Sequence, residues 1–156
     1  MVMRKIFDRF RRPAKPQYIV EDELFGNVKW DKDSRWRGVM ILAGGKTATF
    51  EIDGYAPVES ITEEARHTLN FLVMNEPLIR HRIAVSMRQL YQETWLEENT
   101  LTPEELAQKI NLNNVTIVDE GGGELYYEAD DDLFAGHWVQ VSIDAHGEIG
   151  EPEIEG

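Results

Sequence analysis

A chain of 156 residues with four Trp, five Tyr and six Phe has the length of one ordinary domain and enough bulk for a core. The absence of Cys excludes disulfides, thiol catalysis and cysteine metal sites, and no apolar run approaches the roughly 18 residues of a membrane span. The net charge of −13 is uneven: residues 1–16 carry +5, whereas residues 110–156 hold twelve acidic residues and no Lys or Arg, a balance that repels nucleic acid and attracts basic partners.

The first segment, RKIFDRFRR at 4–12, puts Ile6, Phe7 and Phe10 roughly on one helical face among basic residues, until Pro13 and Pro16 end the pattern. It lacks the apolar run of a signal peptide, so a cytoplasmic protein is expected, with a basic leader at 1–16 and a single domain at 17–156. A β-meander follows: FGNVKW at 25–30, a polar turn at 31–35, a strand from Trp36 to Leu42, and a Gly44-Gly45 turn into 47–53. In the last of these, Ala48, Phe50 and Ile52 alternate with Thr47, Thr49, Glu51 and Asp53, the period of a half-buried strand.

Helix signals begin after Pro57. Ser60 and Glu63 have capping-box spacing, and Leu69, Leu72 and Val73 supply an apolar stripe. Pro77 is expected to end this helix and open a second over 77–98, striped by Ile79, Ile83, Met87, Leu90, Tyr91 and Trp95. A short third helix has Thr102 as its cap, Pro103 in the first position and Glu105 completing the box. Strand patterns return at 115–118, 124–128, 137–143 and 148–154. The order predicts an α+β fold: a largely antiparallel sheet from N- and C-terminal meanders, with two to three helices packed on one face.

No motif for catalysis emerges. Glu64 and His67 have the Glu-x-x-His spacing of di-iron bundles, but such sites need a second pair and two further glutamates. His137, Asp144 and His146 are close in sequence, yet they occupy a strand start and a turn where polar residues need no ligand. The run from Asp130 through Asp131 to Asp132, like Asp119 with Glu120, lacks the alternating spacing of a calcium loop. Gly44-Gly45-Lys46-Thr47 ends like a P-loop but lacks its first glycine and joins two strands, while Ser60, Ser86 and Ser142 sit outside any nucleophile elbow. The expectation is a protein with no metal, no organic cofactor and no enzymatic activity.

Aromatic residues around the acidic loop, Tyr126, Tyr127, Phe134 and Trp138, have the composition of a binding patch. Strand alternation sends one of Tyr126 and Tyr127 inward, and Trp138 is expected to follow it. The candidate partner-binding residues are Glu124, Tyr127, Glu128, Asp130, Asp131, Asp132 and Phe134, and the expected partner is a basic protein.

FGNVKW at 25–30 and Trp36-Arg37-Gly38, together with DDDLFAGH at 130–137, VQVSID at 139–144 and the glycine-bounded end at 147–156, resemble a bacterial family known only as a domain of unknown function. The resemblance covers residues 22–156 and implies no assigned activity or site. Small acidic α+β families of this kind are similar to immunity proteins, which neutralise a toxin inside the bacterial cell. The resemblance therefore implies an immunity-type inhibitor whose acidic face binds a basic toxin; a scaffold or regulatory protein is the alternative, and a metal-dependent hydrolase a more distant one.

Overall fold

Apolar residues recur at alternate positions along the strands, and the strand register stacks them into one face of a single sheet. The computed structural model describes residues 19–30, 35–53, 61–94, 101–118, 120–130 and 133–156. Its elements in chain order are β1 (Ile19–Asp22), β2 (Gly26–Trp30), β3 (Arg35–Ile41), β4 (Thr47–Asp53), α1 (Glu63–Thr94), α2 (Pro103–Lys109), β5 (Ile110–Val118), β6 (Gly123–Ala129), β7 (Trp138–Ile143) and β8 (Glu153–Glu155). The eight strands lie side by side in that same order. The fold is α+β with a mostly antiparallel sheet, as the sequence predicts; the leader, the Ser60 end of the capping box and Trp95 lie outside the described residues.

Two antiparallel meanders, β1–β4 and β5–β8, meet at one parallel pair. Phe50 lies opposite Val115 and Ile52 opposite Ile117 across β4 and β5. Parallel neighbours need a crossover of a dozen residues or more, and here it carries both helices. The inward face of the sheet supplies Trp36, Met40, Phe50, Ile52, Val115, Leu125 and Val141, all buried. Ala65, Leu69, Leu72, Ile79, Ile83 and Met87 of α1 belong to the same apolar cluster.

Two local devices keep the alternation in phase. In β5 the register shifts between Leu112 and Asn114, so that Ile110 and Leu112 point inward before the irregularity and Val115 and Ile117 after it. In β3, Gly38 sits opposite Phe50, and a Cβ there would come within 2.5 Å of the Phe50 ring. The missing side chain leaves the room that the ring fills.

The expected break at Pro77 is corrected: α1 runs without interruption from Glu63 to Thr94, with Pro77 inside it. Proline removes the hydrogen bond to the carbonyl four residues earlier, here Val73. That carbonyl accepts instead from the Ala43 N–H at 3.1 Å, in the turn between β3 and β4. The orphaned acceptor thus becomes a tie between helix and sheet. A second tie joins the Gly122 N–H, in the turn before β6, to Thr68 Oγ1 at 3.2 Å. In α2 the capping box of Thr102 and Glu105 forms as read from the sequence, with Pro103 in the first turn.

The third tie is an ion pair. Asp22 ends β1, and its Oδ1 accepts from the Leu24 and Phe25 N–H groups at 2.9 and 3.1 Å. Arg66 of α1 reaches the same carboxylate with both terminal nitrogens. Burial works against ionisation of Asp22, but the Arg66 hydrogen bonds and the two backbone donors outweigh it and hold the carboxyl below its ordinary value. Asp22→Asn retains an acceptor for the turn and removes the charge pairing. Because Arg66 is partly exposed, the cost expected in urea denaturation at neutral pH is about 2–3 kcal/mol, less than for a fully buried pair. A lowered folded-state value makes this contribution complete above the unfolded value of 3.8 and lost as pH falls below it. The deficit of the variant should therefore shrink on acidification through that range.

Candidate functional site

The strand residues that do not face the core form the opposite, open face of the sheet. Register aligns them in rows: Arg37, Glu51, Thr116, Glu124 and Ser142 make one, and Val39, Thr49, Asn114, Tyr126, Gln140 and Glu153 the next. Trp138 lies opposite Glu155 at the edge of this surface. Between β3 and β8 the face holds a concavity of about 530 Å³, lined by Arg35 and Glu51 at one end and by Tyr126, Trp138 and Glu155 at the other.

The electrostatics of the two ends differ. Arg35 bonds Glu51 at 2.8 Å and Asp53 at 2.7 Å, and Arg37 meets the other Glu51 oxygen at 3.2 Å, so the β3–β4 end is internally neutralised. Strands β4–β8 contain no Lys or Arg, and their open face carries Glu124, Glu128, Glu153 and Glu155 beyond the Arg-bound pair. Glu124 accepts from Gln140 Nε2 at 3.2 Å, and Glu128 from Asn113 Nδ2 at 2.9 Å. These donors are neutral, so both carboxylate charges persist at the surface. Burial raises the Tyr126 phenol above its ordinary value, and the negative charges of Glu124 and Glu155 add to the effect.

The sequence-derived candidates divide on this geometry. Glu124 and Glu128 lie on the open face of β6, and Asp130 follows the strand, accepting from Asn111 Nδ2 at 3.1 Å. Asp131 and Asp132 lie outside the described residues. Tyr127 and Phe134 are corrected as partner anchors, because both are buried, at 0% and 1% exposure. Alternation puts Tyr127 on the core side of β6, beside Val139 of β7. Trp138, expected in the core, is 37% exposed. Val139, Val141 and Ile143 take the inward positions of β7, which sends Trp138, Gln140 and Ser142 outward. The aromatics on the open face are therefore Trp138, which is exposed, and Tyr126, which is half-buried, and the alternation of β7 was the sequence signal for Trp138.

Of the polar residues considered for metal binding, Asp144 has a local structural role. Asp144 Oδ1 accepts from the His146 and Glu148 N–H groups, both at 2.8 Å, which closes the turn after β7. Those backbone donors, Glu148 first, hold its carboxyl below the ordinary range. Glu64 and His67 are exposed in the opening turns of α1. Among the described residues no three His, Asp or Glu side chains converge as a metal site, and no helix is long and apolar enough to cross a membrane.

The profile of a bacterial family, DUF2262, described as an uncharacterised protein conserved in bacteria, matches residues 22–154. No curated protein and no solved structure matches the chain. The matched span starts at Asp22 and contains the residues of the open face and its concavity named above except Glu155, which lies one residue beyond its end.

The opposite fates of the two aromatics are measurable. Tyr127→Ala should cost about 3–5 kcal/mol in urea denaturation, as a large core truncation does. Trp138→Ala should stay within about 1 kcal/mol, as a surface substitution does. Equal costs would mean that the faces of β6 and β7 are assigned the wrong way round.

Proposed function

The chain belongs to that bacterial family, and we propose that it is a non-enzymatic cytoplasmic binding protein whose open sheet face receives a basic protein partner. In its most specific form the role is that of an immunity-type inhibitor covering a basic toxin. One observation carries the reading: strands β4–β8 surround the exposed Trp138 and the half-buried Tyr126 with carboxylates and contain no Lys or Arg. Exposed aromatic side chains supply contact area at little entropic cost, and unpaired charge of one sign steers an oppositely charged partner. A face this negative disfavours nucleic acid, whose binding depends on cations meeting phosphates.

The net charge of −13 acts at long range, whereas Tyr126 and Trp138 act only on contact. The two contributions separate kinetically. Charge mainly sets the association rate, and truncating a central anchor mainly speeds dissociation. The test uses the full chain on a sensor surface with a synthetic peptide of mixed Lys and Arg as the probe. Replacing Glu124, Glu128 and Glu153 together by Gln should slow association several-fold at low salt, with the difference shrinking as the screening length falls to about 8–10 Å near physiological salt. Association that is insensitive both to salt and to these substitutions removes the reading.

A further inference from the structure

We infer that the concavity between Tyr126, Trp138 and Glu155 is a socket for an arginine side chain presented by the partner. The assignment rests on the open face being the binding surface and adds the chemical group that is recognised there.

Its volume of about 530 Å³ lies within the range of about 300–1,000 Å³ typical of small-ligand sites, enough for one long side chain and its flanking backbone. Two aromatic residues line one end of it. A cation over an aromatic face is attracted by the ring's quadrupole, and a planar guanidinium also stacks on the ring. Glu155 faces Trp138 directly in the β7–β8 register, and no Lys, Arg or His pairs with it among the described residues. A guanidinium stacked on Trp138 would thus find a carboxylate beside it. Gln140, also in the lining, spends its amide N–H on Glu124 and retains its carbonyl oxygen as an acceptor.

The far end of the same concavity already holds this chemistry. Glu51 receives the guanidinium groups of Arg35 and Arg37, one on each carboxylate oxygen. Arg35 is thereby neutralised by Glu51 and Asp53 and does not repel an incoming cation from Glu155, which lies five strands further along the sheet on β8. Anionic ligands would meet Glu51, Glu155 and the neighbouring Glu124. A neutral sugar would stack on the aromatic pair and leave Glu155 unmatched. Lysine would satisfy the carboxylate, but its compact and strongly hydrated ammonium gains less from the rings than a guanidinium does.

The experiment uses the full chain and three short peptides of one sequence, differing only in a central Arg, Lys or Gln. Calorimetric titration should give an affinity for the Arg peptide several-fold above that for the Lys peptide, with the Gln peptide weakest. The ¹⁵N–¹H signal of the Trp138 indole should shift saturably with the Arg peptide. Trp138→Leu, which keeps apolar bulk and removes the ring, and Glu155→Gln should each abolish the preference for Arg over Lys. Glu128→Gln, outside the socket, should weaken both basic peptides alike. Equal binding of the Arg and Lys peptides, or a preference that survives Trp138→Leu, overturns the socket while leaving the acidic face in place. Absence of binding by both basic peptides overturns the face itself. A shift of the Trp138 indole with a neutral oligosaccharide but not with the Arg peptide assigns the site to sugars and overturns the proposal.

Discussion

The parallel pairing of β4 with β5 is the constraint from which the rest of the architecture follows. Each half of the chain can form a meander from local hairpins, but these two strands pair only when residues 54–109 return the chain to the same end of the sheet. That return passes through α1 and α2, whose apolar residues join the inward face of the strands in one cluster. The pairing also sets the phase of β5 against β4: with Phe50 opposite Val115 and Ile52 opposite Ile117, one row of side chains is committed to the core and the next to the open face. A one-residue slip would bring Thr116 inward and turn Val115 out. The register shift after Leu112 allows the first half of β5 to keep its own apolar residues inside as well.

Among the described residues, three polar ties between α1 and the sheet run to turns. Val73 accepts from Ala43 between β3 and β4, Thr68 accepts from Gly122 before β6, and Arg66 holds Asp22 at the turn after β1. Turns carry unpaired backbone donors, and the helix supplies acceptors where proline or threonine makes one available. Glu76 is the less comfortable part of this arrangement. It is buried at 1% exposure, and Arg80 Nε approaches it at 3.4 Å without hydrogen-bond geometry. Burial pushes its carboxyl above the ordinary range, against the opposing charges of Arg80 and Lys46.

Much of the fold was legible in the residues because local signals agreed with one another. The alternation in β4, the Gly44-Gly45 turn and the Thr102–Glu105 box all appear where the sequence puts them. The continuity of α1 was hidden, because the partner of the Val73 carbonyl is thirty residues away in the chain and proline statistics are local. The start of β5 was hidden too: INLNN alternates correctly only once a bulge is allowed. At the candidate site the acidic residues Glu124 and Glu128 were readable from composition, and both face outward. The aromatic assignments were not, for a physical reason. Proximity to acids along the chain does not decide the exposure of a strand aromatic; the phase of the strand does. Tyr127, at an inward position of β6, and Phe134, in the turn before β7, are core residues, and Trp138, at an outward position of β7, is exposed.

The proposed contact lies on one face of the sheet and not on α1, although α1 exposes Met74, Leu78 and Val85 to solvent. The direct measurement is a map of backbone amide shifts in the isotopically labelled full chain during titration with an arginine-containing basic peptide. Saturable shifts should concentrate at Thr116, Glu124, Tyr126, Trp138, Gln140 and Glu155, with the amides around Met74, Leu78 and Val85 unmoved. Shifts confined to α1, or spread evenly over every acidic residue without saturation, would contradict the assignment of the open face as the binding surface.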